Sequence, residues 1–180
     1  TDNSLKVRRY KEDIMTIAEI TAKMIAFSEG NQHDICHFLK VWAYARTIGQ
    51  LEKIDDHSQF IVETAAILHD IACPLCRKKY GKALGKDQER EGIILGKEFL
   101  KDCNLAPEDA ERIVFLIGHH HTLTDIKSTD HQILVEADFL VNAYESNMST
   151  HAIINARDHF FKTKSGTALL NSAFNLPARS

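Results

Sequence analysis

Ala65-Ala66-Ile67-Leu68-His69-Asp70-Ile71-Ala72 is the stretch that decides how this chain folds. Ile61, Ala65, Leu68 and Ala72 recur at i, i+4, i+7 and i+11, which lays one apolar stripe along an α-helix. His69 falls on that stripe and Asp70 on its edge, so an imidazole and a carboxylate point together into an apolar interior. Burying both without partners costs several kcal/mol. A divalent cation held between them offsets that cost. A hydrogen bond from the histidine to a core neighbour is the plainer alternative, and the pair alone leaves both open.

Outward from this segment, helical periodicity dominates and convincing period-2 strands are absent. The pattern predicts helices over about 5–28, 34–53, 58–72, 86–103, 107–121, 130–146 and 149–162, and a short one near 166–174. Pro107 stands at a first helical position with Glu108 and Asp109 behind it. Asp55, Asp56 and Ser58 offer caps to the 58–72 helix, and Ser149 or Thr150 to the 149–162 helix. Gly30-Asn31 tolerates the left-handed conformation that ends a helix. In 180 residues there are three prolines, no low-complexity stretch and no repeat, so a single all-α domain over 1–180 is expected. Its motif-bearing core covers about 30–145 and a helical extension 147–180. One long irregular segment is expected from Cys73 to about Gly85.

Composition narrows the function classes. Hydrophobic residues make up 44% and charged residues 26%, and a net charge of -3 argues against a nucleic-acid polymer or membrane surface as partner. No uninterrupted apolar run approaches the roughly 20 residues of a bilayer span. The start Thr1-Asp2-Asn3-Ser4 reads without a secretory h-region, and a cytoplasmic location is the expectation. Cys36, Cys73, Cys76 and Cys103 form no disulfide framework. The Cys73-Pro74-Leu75-Cys76 motif lacks the second CxxC or histidine pair of a zinc knuckle, so reduced thiols are expected.

If His69 and Asp70 hold a metal, other helices must supply further ligands. His37 shares a face with Val41, Ala45 and Ile48, and Asp138 sits between Leu134 and Val141 inside an apolar run. For Asp138 an N-cap role or an arginine partner is the alternative. His37, His69, Asp70 and Asp138 together make two imidazoles and two carboxylates. That mixed set suits Mn²⁺, Fe²⁺, Co²⁺, Ni²⁺ or Zn²⁺ and leaves positions for water and substrate.

His120, in Gly118-His119-His120-His121, continues the face of Ile113, Leu116 and Ile117 and is expected to point inward. His119 and His121 lie about 100° to either side. Three histidines can also simply complement the negative end of a helix dipole. Gly92 and Gly96 permit close helix approach, which could carry Gln88 or Glu91 to the metal, although Glu91 also reads as a solvated carboxylate. Arg77, Lys78, Lys79, Lys82, Lys86 and Arg90 stand against Asp87 and Glu89 and read as an anion-gathering flap or a solvated loop.

The order His37, His69-Asp70, Asp138 resembles the HD-domain superfamily of metal-dependent phosphohydrolases, whose signature is H…HD…D. His33-Asp34-Ile35-Cys36-His37-Phe38-Leu39-Lys40-Val41 resembles its opening motif, Ala66-Ile67-Leu68-His69-Asp70-Ile71 the central one, and Glu136-Ala137-Asp138-Phe139-Leu140 the closing one. The resemblance implies a helical bundle with His37, His69, Asp70 and Asp138 as ligands to one divalent transition metal between central helices. It implies hydrolysis of a phosphate ester or anhydride, of a nucleotide or a related small phosphorylated molecule. In that chemistry Asp70 orients or deprotonates a water, and His120 protonates the leaving oxygen or binds a phosphate. Arg77, Lys79 and Arg90 neutralise phosphoryl charge. Two-metal members carry an extra histidine between the HD pair and a later histidine. Here no histidine lies between 71 and 118, so Glu91 and His120 are the best candidates for a second ion or a supporting catalytic role. The extension of the cyclic-di-GMP-degrading branch is missing after His121, which disfavours that activity. A non-catalytic nucleotide-binding regulatory module and an HD-fold di-iron oxygenase are the rival expectations.

Overall fold

The computed structural model describes residues 14–177. Most helices begin where the sequence supplies a side-chain acceptor or a proline. Thr16 and Glu19 form a capping box before α1 (Ile17–Phe27). Asn31 caps α2 (Gln32–Glu52), and Asp55 caps α3 (Asp56–Leu68) by accepting from Ser58 N at 2.9 Å. Pro74 lies in the first turn of α4 (Cys73–Tyr80) and Pro107 in that of α6 (Pro107–Ile117). Between them run α5 (Gly85–Leu100) and a 3₁₀ turn (Lys101–Cys103). The chain closes with α7 (Thr129–Glu145), α8 (Thr150–Phe160, capped by Ser149) and α9 (Lys164–Ala173, capped by Thr163). Among the described residues there is no strand.

Several boundaries differ from expectation for local reasons. Residues 73–80 are helical, not irregular. Only Cys73 and Cys76 of this short helix are buried, too few to show an apolar period, and Gly81 at φ +75° ends it. The 58–72 helix starts at Asp56 and stops at Leu68, so His69 caps it and Asp70 lies in the turn that follows. Likewise α6 stops at Ile117 rather than 121, which puts all three consecutive histidines in a turn. The first expected helix is seen from Ile17, and its 5–13 portion lies outside the described residues.

Every residue from Ile61 to His69 is buried, so α3 is enclosed on all sides rather than along one stripe. It packs against α1, α2, α6 and α7, while α7 is shared between α2, α3 and α9. Asp56–Tyr80 reaches the length and mean hydropathy (1.2) of a bilayer span, but 72% of that window is buried within the protein, so its apolar side chains are core.

Two carboxylates inside this core are fully satisfied. Glu63 accepts from Trp42 Nε1 (2.7 Å), Arg46 (3.1 and 3.2 Å) and Gln59 Nε2 (2.8 Å), which clamps α2 to α3. Glu136 accepts from Gln132 Nε2 (2.7 Å), Lys162 N (2.6 Å), Thr163 N (2.9 Å) and the Thr163 hydroxyl, which fastens the α8–α9 corner onto α7. Gly166 lies so close that a Cβ there would overlap the Glu136 carboxylate.

Candidate metal centre

The two most enclosed helices, α3 and α7, meet α2 at one point, and the four expected donors face it. His37 Nε2 lies 3.2 Å from His69 Nε2 and 3.3 Å from both Asp70 Oδ2 and Asp138 Oδ1. His69 Nε2 lies 3.5 Å from Asp70 Oδ2 and 3.4 Å from Asp138 Oδ1. The side chains of His69, His37 and Asp138 are buried, whereas Asp70 is 25% exposed and marks the open side. The bend after Leu68 makes this possible, because leaving the helix turns Asp70 toward the same point as its neighbour.

Partners on the far side of each ring fix what the near side offers. His37 Nδ1 donates to Glu145 Oε2 at 2.7 Å, and His69 Nδ1 donates to Ala66 O at 2.8 Å. Both Nε2 atoms therefore turn lone pairs toward two carboxylates. Such an arrangement demands positive charge at its centre. Protons meet that demand in the protein alone. Burial opposes charge on His37, but Asp138, Asp70 and Glu145 outweigh it and lift its pKa to about 9. His69 shifts upward through Asp70 and Asp138, again against its burial. Burial pushes Asp70 and Asp138 up, but His69, His120 and His37 hold Asp70, and His37 and His69 hold Asp138, below the ordinary carboxylate range. Donors about 2.0–2.2 Å from a common cation stand about 3.0–3.5 Å apart, the spacing His37 and His69 keep to each other, to Asp70 and to Asp138. His37, His69 and Asp70 are all close enough to one another to share an ion, and Asp138 adjoins them through the two histidines.

A second group adjoins the first through Asp70. His120 Nε2 lies 3.4 Å from Asp70 Oδ1, while its Nδ1 donates to Ile117 O at 2.7 Å. That Nε2 is buried and has no hydrogen-bond partner. His121 joins His120 and Asp70 close enough for the three to share an ion. Gln88 sets the tautomer of His121. Its amide nitrogen donates to Ala83 O (2.9 Å), so its oxygen faces His121 Nε2, which must carry the proton and leave Nδ1 free. Although His121 as a residue is exposed, partial desolvation of its ring against Gln88 and the charge of neighbouring His120 lower its pKa to about 4, so the ring is neutral at pH 7.

The remaining expected residues lie around this centre in differing states. Glu91 is buried, but Lys79 Nζ (2.8 Å) and Tyr80 Oη (2.6 Å) bind it, so its carboxylate is engaged in joining α4 to α5. The close approach expected at Gly92 and Gly96 exists, with a Cβ at either reaching 2.9 Å from Ile117. It brings Gln88, not Glu91, to the histidines. Lys79 is thus already neutralised, and Arg90 is tied to Asp87 (2.8 Å) and Tyr80 Oη (2.9 Å). Arg77 is half exposed and pairs with Asp34, one turn before His37. His119 turns away to stack on Phe115 at 4.1 Å. Glu145 and Asn142, whose amide donates to Asp138 Oδ1 at 2.8 Å, were not anticipated. Their spacing was available: Asp138, Asn142 and Glu145 stand at i, i+4 and i+7 on one face.

Comparison with known proteins gives a consistent picture. The profile described as HD domain matches residues 34–156. A solved structure described as a predicted HD superfamily hydrolase, from an uncultured Thermotogales bacterium, superposes with a TM-score of 0.66 at 22% identity. That match covers 94% of this chain and 91% of the other, and it establishes likeness of fold. A bifunctional uridylyltransferase/uridylyl-removing enzyme from Aromatoleum aromaticum is 34% identical over 67 residues. Those residues are 37% of this chain and only 7% of that much longer protein.

Proposed function

The chain belongs to the HD-domain family, and from that premise we propose that it is a metal-dependent phosphohydrolase acting on a small phosphate ester or anhydride, a nucleotide above all. The reading is carried by donor atoms from α2, α7 and the end of α3: the Nε2 atoms of His37 and His69 lie 3.2 Å from each other and 3.3–3.5 Å from carboxylate oxygens of Asp70 and Asp138. The uridylyl-removing activity in the name of the Aromatoleum relative belongs to the same chemical class and supports it.

In this proposal His37, His69, Asp70 and Asp138 hold one divalent transition metal. Asp70 Oδ1, His120 and His121 Nδ1 provide for a second, since the orphaned His120 Nε2 asks for a cation or a donated proton. Such ions polarise phosphoryl oxygen and acidify water. Asp70, the most exposed of the four donors, stands at the entrance and orients the attacking water. His120 Nε2 is free of protein hydrogen bonds among the described residues; with no second ion bound it would take up a proton from solvent there and deliver that proton to the leaving oxygen. Arg77 can exchange Asp34 for a phosphate oxygen, because its side chain is half exposed and pairs with a single carboxylate. Lys79 and Arg90 contribute less, being neutralised by Glu91 and Asp87.

The test is hydrolysis of a panel of phosphomonoesters, phosphodiesters and nucleoside phosphates by protein loaded separately with Mn²⁺, Co²⁺, Ni²⁺ and Zn²⁺. Phosphate or nucleotide release that chelator abolishes and metal restores is expected. Tight metal and nucleotide binding with no product across the panel overturns the catalytic reading in favour of a regulatory module.

A further inference from the structure

The ring nitrogens behind the three innermost histidines are not held alike. His69 and His120 donate Nδ1 to main-chain carbonyls of Ala66 and Ile117. His37 alone donates to a carboxylate, Glu145 Oε2, at 2.7 Å. The other oxygen of Glu145 accepts from Lys40 Nζ at 2.6 Å. Lys40 lies one turn from His37 on α2, so a single helix supplies both groups that grip Glu145. The carboxylate itself is the last residue of α7, where the negative end of the helix dipole disfavours it. Its side chain is only 18% exposed. A carboxylate brought to an unfavourable helix end, kept largely from water and fixed at both oxygens is not explained by the stability of α7.

We propose that Glu145, steadied by Lys40, is a positioning residue that sets how tightly the centre holds its cation. The proposal rests on the reading that His37, His69, Asp70 and Asp138 bind a metal. An anionic acceptor fixes the His37 tautomer as a neutral main-chain carbonyl would. It also makes the far nitrogen a stronger donor, because negative charge opposite the ring stabilises the electron density given to the ion. His37 is therefore the donor through which the protein adjusts affinity, while His69 provides a fixed wall.

The full-length chain and its Glu145→Gln and Glu145→Ala variants are titrated with Co²⁺ against a competing chelator, in about 0.5 M salt to screen simple through-space attraction. Glu145→Gln keeps the shape and an acceptor but removes the charge. A loss of about 10–100-fold in Co²⁺ affinity is expected for Glu145→Ala, with Glu145→Gln between it and the parent. The visible absorption of bound Co²⁺ should shift in the same order, a signature that a merely structural role would not move. Parent-like affinity and spectrum in both variants overturn the proposal. Failure of the parent chain itself to bind Co²⁺, Mn²⁺ or Zn²⁺ overturns instead the metal reading beneath it.

Discussion

Removing divalent ions from this protein should give it an unusual dependence on pH. Without a cation, the charge demanded by Asp70 and Asp138 is met by protons on His37 and His69. The pKa of His37 stands at about 9 against an ordinary value of 6.5. A group that binds its proton more tightly folded than unfolded stabilises the fold fully below its unfolded pKa and loses that contribution as pH rises through the folded value. For His37 the interval corresponds to about 3 kcal/mol, lost between about pH 6.5 and 9. His69 shifts in the same direction and adds to the fall. Opposing groups act elsewhere. His121 at about 4 titrates below this window, as does His131, whose pKa burial lowers from 6.5. Asp70 and Asp138 are ionised well before it. Urea unfolding in chelator at pH 6.5, 7.5, 8.5 and 9.5 should therefore show a falling midpoint. Saturating Mn²⁺ should remove the fall up to about pH 8.5, because the ion takes the nitrogen lone pair and gains from deprotonation. Above that the buried Cys73, Cys76 and Cys103 thiols, raised by burial, lower stability with or without the ion. Chelated protein whose stability stays flat or rises across the window would refute the electrostatic reasoning.

Three further outcomes follow from the same geometry. Asp70→Ala removes the group shared by both histidine clusters and should abolish metal content and turnover together, read by elemental analysis beside the hydrolysis assay; retained metal would take Asp70 out of the centre. Gly166→Ala forces the Glu136 carboxylate off its Thr163 donors and should cost about 3 kcal/mol after the helix-propensity gain of alanine, seen as a lower urea midpoint. An unchanged midpoint would show that the corner relaxes freely. Arg77→Ala should raise KM for a phosphorylated substrate about tenfold (about 1.4 kcal/mol), while Lys79→Ala should raise it far less, Glu91 having already neutralised that charge. Equal effects would place both cations on the substrate.

The parts legible in sequence were those fixed by periodicity. Ile61, Ala65 and Leu68 announced α3, and Leu134 and Val141 framed Asp138 on α7, so four polar side chains aimed at the core could be read from spacing. Periodicity fails where helices end. His120 was expected inward as a continuation of α6, yet it is buried because the turn after Ile117 folds back on His69, their rings 5.2 Å apart. The same limit hid α4, whose two buried cysteines define no stripe. Glu91 was misleading for another reason. Helix spacing places a side chain on a face but does not name its partner, and here Lys79 and Tyr80 reach it from α4. Glu145 stayed hidden because a carboxylate at a helix end reads as solvated until the neighbouring helix brings a histidine and a lysine to it.

In the function proposed above, His37, His69, Asp70 and Asp138 enclose one cation. Crystals grown with Mn²⁺ and measured at a wavelength where manganese scatters anomalously address that arrangement directly. An anomalous peak is expected about 2.0–2.2 Å from His37 Nε2, His69 Nε2, Asp70 Oδ2 and Asp138 Oδ1. A crystal in which these four groups point apart, or in which the ion settles elsewhere and leaves them to protons, would contradict it.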